Sequence, residues 1–329
     1  MDDPTRREFG GELLGATLFA TPKVLRRKDW EPAYLKLERS GELANRAKTL
    51  YEIYKSCRLC PRQCGVNRQA GEKGVCESGT RARIASANAH FGEERPLVGR
   101  GGSGTIFFSR CNLLCEFCQN WTISHGGEGS LYSDDELGRL MVALEKQGCH
   151  NVNLVTPTHI LPNIVNALRT AIARGLRAPL VYNCGGYEPV EVIRLLDGIV
   201  DIYLPDYKYM DGKVAARLSS GAEDYPERAA EAITEMHRQV GNLVVDENGI
   251  ALRGLMIRHL VMPNNLAGTD RFVKWAAEKL GPDTYVNIMA QYRPEYHARK
   301  IPEIARRITS AEYEQAITWA RQAGLKNLD

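Results

Sequence analysis

The feature that most constrains the fold is a regular alternation of apolar runs and amphipathic helical segments after Gly101. Six short apolar runs are typical of buried strands. The predicted strands are residues 105 to 109, 151 to 156, 180 to 183, 200 to 204, 252 to 263 and 284 to 291. This alternation predicts parallel strands joined by right-handed crossovers, and six units are too few for the closed eight-stranded barrel. We therefore predict an α/β fold, an incomplete TIM-like (β/α)6 barrel.

Capping residues and glycines mark the helices between these strands. Ser133 and Glu136 predict a capping box at the start of the first helix. Asn248-Gly249 predicts a small hairpin turn before the fifth strand. Further helices are predicted at 163 to 174, 189 to 197, 225 to 240 and 269 to 280.

The chain before the barrel has a different character. Residues 29 to 56 mix charged and apolar positions at helical spacing and predict two short helices. The following residues, up to 100, are rich in Gly, Arg and Cys. They are too irregular to form a core of their own without a stabilising cross-link, which the cysteines could supply. We therefore predict a flexible or peripheral tail at 1–28, a helical and four-cysteine metal-binding segment at 29–100, and the partial barrel at 101–329.

Composition narrows the classes of function. A formal net charge of +3 gives no electrostatic reason to expect nucleic-acid binding. The sequence contains no run of about 20 apolar residues, so it predicts no membrane span. Seven of the nine cysteines form two tight groups, which indicates metal binding in a reducing compartment rather than a secreted disulfide framework. We expect a cytoplasmic protein. Arg6-Arg7 before a short apolar stretch weakly resembles a twin-arginine export signal, although Glu12 interrupts that stretch.

A three-cysteine loop follows directly on the first predicted strand. Cys111, Cys115 and Cys118 have the spacing C-x3-C-x2-C, at the strand end where parallel α/β barrels place their chemistry. Three thiolates can hold three irons of a [4Fe-4S] cluster and leave the fourth iron open to another ligand. A structural zinc site is the alternative for such a group.

The loop resembles a known superfamily. Its spacing, with the aromatic Phe117 before the last cysteine, is similar to that of the radical S-adenosylmethionine superfamily. The segments VNLVTPTHILP, VYNCGGYE, DIYLPDYKY and QYRPEY resemble proteins similar to pyruvate formate-lyase activating enzyme, and the resemblance covers roughly residues 35 to 325. It implies that S-adenosylmethionine binds a [4Fe-4S] cluster at Cys111, Cys115 and Cys118 and is cleaved reductively to a 5′-deoxyadenosyl radical. It further implies a reductant such as flavodoxin or ferredoxin.

The resemblance also implies residues that contact S-adenosylmethionine. Asp206 and Lys208, after the fourth strand, look like the Asp-x-Lys pair of activating enzymes, and a surface ion pair is the alternative. Activating enzymes carry Gly-Gly-Glu after the second strand, where this chain reads TPTHI instead. Thr156, Thr158 and His159 are therefore candidates for binding the ammonium group, although His159 could equally face the substrate.

Two further strand residues are candidates for the same site. Asn183 ends the third strand and has an amide suited to the nucleotide, or serves as an ordinary strand-end cap. Arg258 lies inside the fifth strand, where an unpaired charge is costly, so we expect it to point into the barrel toward a carboxylate. We expect Asp206, as a polar residue at the mouth, to contribute little to the core.

The second cysteine group contains a complete set of four ligands. Cys57, Cys60, Cys64 and Cys76 have the spacing C-x2-C-x3-C-x11-C. Structural zinc and an auxiliary [4Fe-4S] cluster both satisfy this count, and a disulfide pair is the remaining alternative. The isolated Cys149 and Cys184 are predicted to be small buried side chains.

Three hypotheses for function remain open. The first is hydrogen abstraction from a glycine of a glycyl-radical enzyme, and the second is radical modification of a peptide or small molecule. The third, from another class, is a non-catalytic iron–sulfur electron carrier or scaffold.

Overall fold

The computed structural model describes residues 22–329. Its strands are β1 (Lys23–Val24), β2 (Ala82–His90), β3 (Ser103–Phe108), β4 (Ser130–Tyr132), β5 (Val152–Val155), β6 (Leu180–Cys184), β7 (Ile202–Pro205), β8 (Val244–Val245), β9 (Ala251–Leu260), β10 (Tyr285–Met289) and β11 (Asn327–Leu328). Its α-helices are α1 (Tyr34–Arg39), α2 (Glu42–Glu52), α3 (Arg95–Val98), α4 (Trp121–Ser124), α5 (Asp134–Lys146), α6 (Leu161–Ala173), α7 (Val190–Arg194), α8 (Gly212–Leu218), α9 (Tyr225–Val240), α10 (Thr269–Lys279) and α11 (Ser310–Gln322).

The six predicted strands are β3, β5, β6, β7, β9 and β10, and they form one sheet in this order with every neighbouring pair parallel. The predicted α/β fold with a mostly parallel sheet is therefore confirmed. Among the described residues no pairing joins β10 to β3, so the sheet is open. This strand order is compatible with an incomplete barrel. That the sheet curves into such a barrel stays a prediction.

Strand β2 was not predicted. It pairs antiparallel with β3 and β4, so residues 82–90 of the predicted four-cysteine segment belong to the main sheet. The sequence ARIASANAH contains small alanines instead of large apolar residues, and its side chains are mostly half-buried or exposed. The hydrophobic signal was weak because this strand lies near the sheet edge and does not need a strongly apolar face.

The two faces of the sheet are covered differently. Helices pack against one face in the large core that contains Leu154 and Tyr182. The other face, called the inner face below, has a smaller apolar cluster that Leu97 of α3 joins. The sheet residues of this cluster include Val181, Ile202, Leu204, Met256 and Tyr285. Because paired residues of parallel strands share a face, the register places Asn183, Asp206, Arg258 and Asn287 on the inner face as well.

Local signals predicted several boundaries correctly. The capping box is present, with the Ser133 amide 2.7 Å from the Glu136 carboxylate and the Glu136 amide 3.3 Å from Ser133 Oγ. The turn through Gly249 joins the antiparallel strands β8 and β9, since Asp246 N donates to the Ile250 carbonyl. Helices α8 and α11 were missed, although α11 has a capping box of its own at Thr309 and Glu312.

In the structure, residues 29–56 contain the two helices α1 and α2, and α2 packs against α6. The Arg6-Arg7 stretch lies outside the described residues. Of the predicted peripheral tail, Lys23–Val24 is described and pairs with Val244–Val245 at the sheet edge. Within residues 22–329, no helix combines the length and apolar character needed to span a membrane.

Candidate functional site

The three-cysteine loop leaves the carboxyl end of β3 and returns through the short helix α4. Two non-glycine residues in it have positive φ angles, Arg110 at 76° and Leu114 at 53°. The Arg110 amide donates to the Ile123 carbonyl at 2.9 Å, which closes the loop. Left-handed conformations at such residues are costly and occur most often at functional sites. They let this short loop fold back on itself, with Cys115 buried in the core and Cys111 and Cys118 partly buried against it.

Each of the three sulfurs has a hydrogen-bonding partner. The Leu113 amide donates to Cys111 Sγ at 3.3 Å, and Ser219 Oγ donates to Cys115 Sγ at 3.1 Å. Cys118 Sγ lies 3.1 Å from Ser124 Oγ. Donors directed at sulfur stabilise thiolates and tune the potential of a bound cluster. The surroundings of these cysteines therefore fit ligation of an iron–sulfur cluster.

Phe117 is nearly buried inside an aromatic cluster. Its ring packs edge-on against Tyr209 at 6.3 Å between centroids and lies 5.8 Å from Tyr292. Tyr209 in turn donates to the Ser219 hydroxyl, at 2.8 Å between their oxygens, because Ser219 uses its own hydrogen for Cys115. Phe117 thus anchors the loop next to the serine that contacts Cys115, and its predicted contact with the cofactor stays a prediction.

A charged network lies on the inner face beside this loop. Asp206 accepts from Lys208 Nζ at 2.6 Å and from Arg258 Nε at 2.9 Å. Arg258 also hydrogen-bonds the Asn183 amide oxygen and lies 3.4 Å from Glu93. As expected, the Arg258 guanidinium lies close to a carboxylate, that of Asp206. Glu93 is a second carboxylate partner, which the sequence did not suggest.

Burial and charge compete in this network. Burial alone would raise the pKa of Asp206, but Arg258 and Lys208 outweigh it, so that the pKa lies below its ordinary range. Burial likewise opposes the charge of Lys208, and Asp206 raises its pKa above the ordinary value. The structure places the Asp206 carboxylate between two largely buried cations, so we expect it to contribute to the fold as well as to the site.

Lys208 links the network to the three-cysteine loop. Burial raises the pKa of the Cys115 thiol, and the nearby Lys208 ammonium opposes that rise. Burial also raises the pKa of Cys111, to about 12. The residues around Cys115 therefore combine a cation and a hydroxyl donor, which together favour a bound thiolate.

The TPTHI segment is arranged differently from the prediction. Thr156 has a φ of 60° and is half-buried, and its amide donates to the Asn183 carbonyl, so it lies at the strand ends as expected. Thr158 is 1% exposed, and its hydroxyl donates to Glu188 Oε1 at 2.5 Å. The structure therefore places Thr158 beside a buried carboxyl group, and not at the open carboxyl ends of the strands where it was expected.

Glu188 is a buried acid that the sequence reasoning missed, although it follows Asn183 and Cys184 closely in VYNCGGYE. Tyr182 also donates to it, at 3.2 Å. Burial raises the pKa of Glu188 to about 8, so this carboxyl group is largely protonated at neutral pH.

The four cysteines of the second group line one recess in the segment after α2. These are Cys57, Cys60, Cys64 and Cys76, and the recess is also lined by His159, Arg62 and Arg68. All nine cysteines of the chain are free thiols, so the disulfide alternative is not observed. No set of three or more His, Cys, Asp or Glu side chains within residues 22–329 has the spacing for one metal ion.

Glycine geometry shapes this recess. A Cβ on Gly74 would lie 2.7 Å from Cys64 Sγ, closer than side chains approach each other. The Val75 amide donates to the same sulfur at 3.5 Å. The chain therefore passes closely around Cys64, as it does at metal-binding cysteines whose sulfurs accept backbone hydrogen bonds.

Two arginines join the recess to the rest of the site. Arg62 donates to the Asn112 carbonyl at 3.0 Å and to the Ser219 carbonyl at 2.9 Å, so it contacts both the three-cysteine loop and the serine beside Cys115. Arg68 is 2% exposed and donates to the carbonyls of Gly79 and His159. Among the described residues neither guanidinium has a carboxylate partner within 4.0 Å.

His159 faces the recess and not the strand-end network. It is 2% exposed, and its Nε2 lies 2.8 Å from the Ser109 carbonyl oxygen. Burial and the neighbouring Arg68 lower the pKa of His159 to about 3, so the ring is neutral. The structure thus separates His159 from Thr156, with which the sequence had grouped it.

Comparison with known proteins gives one family and several related chains. The radical SAM superfamily profile matches residues 105–247. An uncharacterized protein of Methanocaldococcus jannaschii is 33% identical over 331 residues, which cover 97% of this chain and 90% of that protein.

Two solved structures are similar at 14% identity. One is HydG, a maturase of the [FeFe]-hydrogenase, with 67% of this chain and 49% of that chain covered and a TM-score of 0.47. The other is a radical SAM methyltransferase from Sphaerobacter thermophilus, with 68% and 65% covered and a TM-score of 0.43. This chain spans about half the length of the maturase and just under two thirds of the methyltransferase.

Proposed function

The chain belongs to the radical S-adenosylmethionine superfamily, and we propose that it is an enzyme that cleaves S-adenosylmethionine reductively and abstracts hydrogen from a substrate. The observation that supports this most directly is the set of three cysteines, each with its own hydrogen-bonding partner, beside the Lys208–Asp206 pair. When bound, a [4Fe-4S] cluster supplies the electron that splits the sulfonium into methionine and a 5′-deoxyadenosyl radical.

The residues of this chain would bind and orient the nucleotide. Cys111, Cys115 and Cys118 would hold the cluster, and Ser219 fixes the direction of Cys115. Asp206 has lone pairs for a ribose hydroxyl or the ammonium group, and Lys208 can donate to a carboxylate.

The inner face supplies further polar groups to the same site. Asn183 and Arg258 extend the polar surface along the carboxyl ends of β6 and β9. Thr156 lies next to Asn183 and is the candidate of the TPTHI segment that remains at the strand ends.

We further propose that the substrate is reached from the carboxyl ends of an incompletely closed barrel. Contacts between the loops after β3 and β10 support a curved sheet, since Gln119 Nε2 donates to the Gln291 carbonyl at 3.1 Å and His297 pairs with Glu116 at 2.8 Å. A glycine of a glycyl-radical enzyme is the first candidate substrate, as in the activating enzymes that the sequence resembles.

A peptide or small molecule is the second candidate substrate, and buried acceptors favour it. Glu94 Oε2 and Asn153 Oδ1 are buried and have no hydrogen-bond donor among the described residues. Asn287 of the inner face donates to the other oxygen of Glu94, at 3.0 Å. Buried acceptors of this kind need a donor, and an amino or hydroxyl group of a small substrate would supply one.

The second cysteine group is proposed to hold a metal centre, either zinc or an auxiliary cluster. Because its side chains are not spaced for one metal ion, zinc would require the sulfurs to move closer together. Four thiolates around a doubly charged metal unit have a net negative charge, which the guanidinium groups of Arg62 and Arg68 would balance. A low-potential flavodoxin or ferredoxin is the proposed reductant, and the thiol-rich sites fit a reducing cytoplasmic compartment.

Release of 5′-deoxyadenosine tests the catalytic proposal. Anaerobically reconstituted protein is incubated with S-adenosylmethionine and dithionite, and we expect release from the parent chain and from Cys149→Ala, whose buried thiol lies before the amino end of β5. Cys115→Ala should release none. Absence of release from the parent would support the non-catalytic electron carrier, and normal release from Cys115→Ala would overturn the ligand assignment.

A further inference from the structure

The two ring nitrogens of His159 differ in their hydrogen bonding: Nε2 has a partner in the fold, and Nδ1 has none among the described residues. Nε2 lies 2.8 Å from the Ser109 carbonyl oxygen. Because a carbonyl oxygen only accepts hydrogen bonds, Nε2 has the proton and Nδ1 has the lone pair. Nδ1 is buried, and among the described residues it has no hydrogen-bond partner.

Other histidines of this fold are not left in this state. His259 is equally buried, but its Nδ1 lies 2.6 Å from the Tyr207 carbonyl oxygen and its Nε2 lies 2.9 Å from Thr269 Oγ1. Buried polar nitrogens in native proteins nearly always have a partner. The free lone pair of His159 therefore indicates a ligand that the protein chain itself does not provide.

The surroundings of His159 indicate what kind of ligand this is. His159 is one of the residues that line the recess of Cys57, Cys60, Cys64 and Cys76. Histidines that bind metals typically donate their other ring N–H to a backbone carbonyl or carboxylate, which fixes the tautomer. His159 has this arrangement, with its lone pair on the nitrogen that has no other partner.

We propose that Nδ1 of His159 is a ligand of the metal centre in the four-cysteine recess, which is thus a mixed thiolate and imidazole site. This inference rests on the metal centre proposed above for the second cysteine group. Arg68 holds the ligand in place, since it donates to the His159 carbonyl at 2.6 Å and lies 4.0 Å from Cys57 Sγ.

The mixed site has a consequence for the cysteines. Four thiols and one imidazole offer five donors, whereas a tetrahedral zinc ion takes four protein ligands and a [4Fe-4S] cube takes one at each of four irons. One of the four thiols is therefore not required. Single Cys→Ser variants should show that three of the four cysteines are needed for metal binding and that the fourth is dispensable.

The site would also be bonded to the catalytic loop. The Nε2–H of His159 donates to the carbonyl of Ser109, and Cys111 follows two residues later. Arg62 adds a second connection, from the recess to the Asn112 carbonyl. A change at the four-cysteine centre can therefore reach the three-cysteine loop through two short hydrogen-bonded routes.

Pulsed electron paramagnetic resonance tests the ligand directly. A variant with Cys111→Ala, Cys115→Ala and Cys118→Ala lacks the catalytic cluster and isolates the second centre. It is reconstituted anaerobically with iron and sulfide and reduced with dithionite to the paramagnetic state, or loaded with Co2+ as the probe if metal analysis shows zinc. Labelling with 15N-histidine should change the nitrogen hyperfine coupling, and His159→Ala should abolish that coupling or the metal binding itself. His259→Gln is the matched control and should retain both.

The outcomes separate the two proposals. Metal binding with nitrogen coupling that only His159→Ala removes supports the ligand. Metal binding without histidine coupling, or with a requirement for all four cysteines and not for His159, overturns the ligand and leaves the metal centre intact. If the folded triple variant binds neither iron nor zinc, both the centre and its ligand are overturned.

Discussion

Lys208 Nζ lies 2.6 Å from Asp206 Oδ2, and Arg258 Nε lies 2.9 Å from the other oxygen of the same carboxylate. Only 15% of the Asp206 side chain is exposed. One carboxylate thus neutralises two cations at the ends of β7 and β9, next to the loop that contains Cys115. We expect the same group to stabilise the fold and to shape the proposed nucleotide site.

We expect Asp206→Ala to weaken both folding and binding. Removal of one partner from a buried charge pair typically costs about 3 kcal/mol, because the remaining cations lose their counter-ion. The free energy of unfolding from urea titration should fall by about this amount, and calorimetry should show at least about a tenfold loss of S-adenosylmethionine affinity, or about 1.4 kcal/mol.

A surface ion pair provides the control for Asp206. Asp283 lies 3.6 Å from Lys326, and both side chains are about half exposed. Asp283→Ala should change neither stability nor affinity measurably. An Asp206→Ala variant that unfolds like the parent would show that the two cations find other partners.

Loss of the Ser219 hydroxyl should make the catalytic cluster harder to reduce. A hydrogen bond to sulfur stabilises the more negative, reduced state. Ser219→Ala removes the 3.1 Å hydrogen bond to Cys115, and a loss of about 1 kcal/mol lowers the potential by about 40 mV. A redox titration followed by electron paramagnetic resonance measures this shift. Ser40→Ala, on the exposed end of α1, should leave the potential unchanged.

Gly74→Ala should reduce the metal content of the four-cysteine centre. The added Cβ would lie 2.7 Å from Cys64 Sγ and would displace it, whereas a Cβ on Gly79 meets nothing within 4 Å. Metal analysis of Gly74→Ala should show a loss, and Gly79→Ala should bind as much metal as the parent. Equal metal content in both variants would show that the centre does not depend on the close approach of Gly74 to Cys64.

Glu188 should make the protein less stable as the pH rises. Its pKa is raised from the ordinary 4.5 to about 8, so between these values the folded protein holds a proton that the unfolded chain has released. Stability therefore falls with rising pH across this window, by up to about 1.4 kcal/mol per pH unit. Glu188→Gln should flatten this slope in urea titrations, relative to the parent. The buried Asp201, with a pKa raised to about 7, is common to both proteins and cancels in the comparison. An equal slope in both proteins would place the Glu188 carboxylate in the ionised state.

The sequence by itself determined the elements whose signals are local. The six parallel strands follow from short apolar runs, α5 from its capping box, and the grouping of seven cysteines from their spacing. These signals are readable because hydrophobic periodicity, helix caps and cysteine spacing are all patterns of residues close in the chain. Strand β2 was missed because it lies near the sheet edge and contains small, half-buried alanines, which give only a weak hydrophobic signal.

Only the tertiary structure decided which distant residues meet. Ser219 lies 104 residues from Cys115, Glu93 lies 165 residues from Arg258, and Arg62 joins two cysteine groups that the sequence treats as separate. His159 shows the limit most clearly, because its neighbours in the chain are at the strand ends while its ring faces the four-cysteine recess. The turn that follows β5 sets that direction, and no spacing in the sequence specifies it, since a side chain's partners depend on the packing of the whole fold.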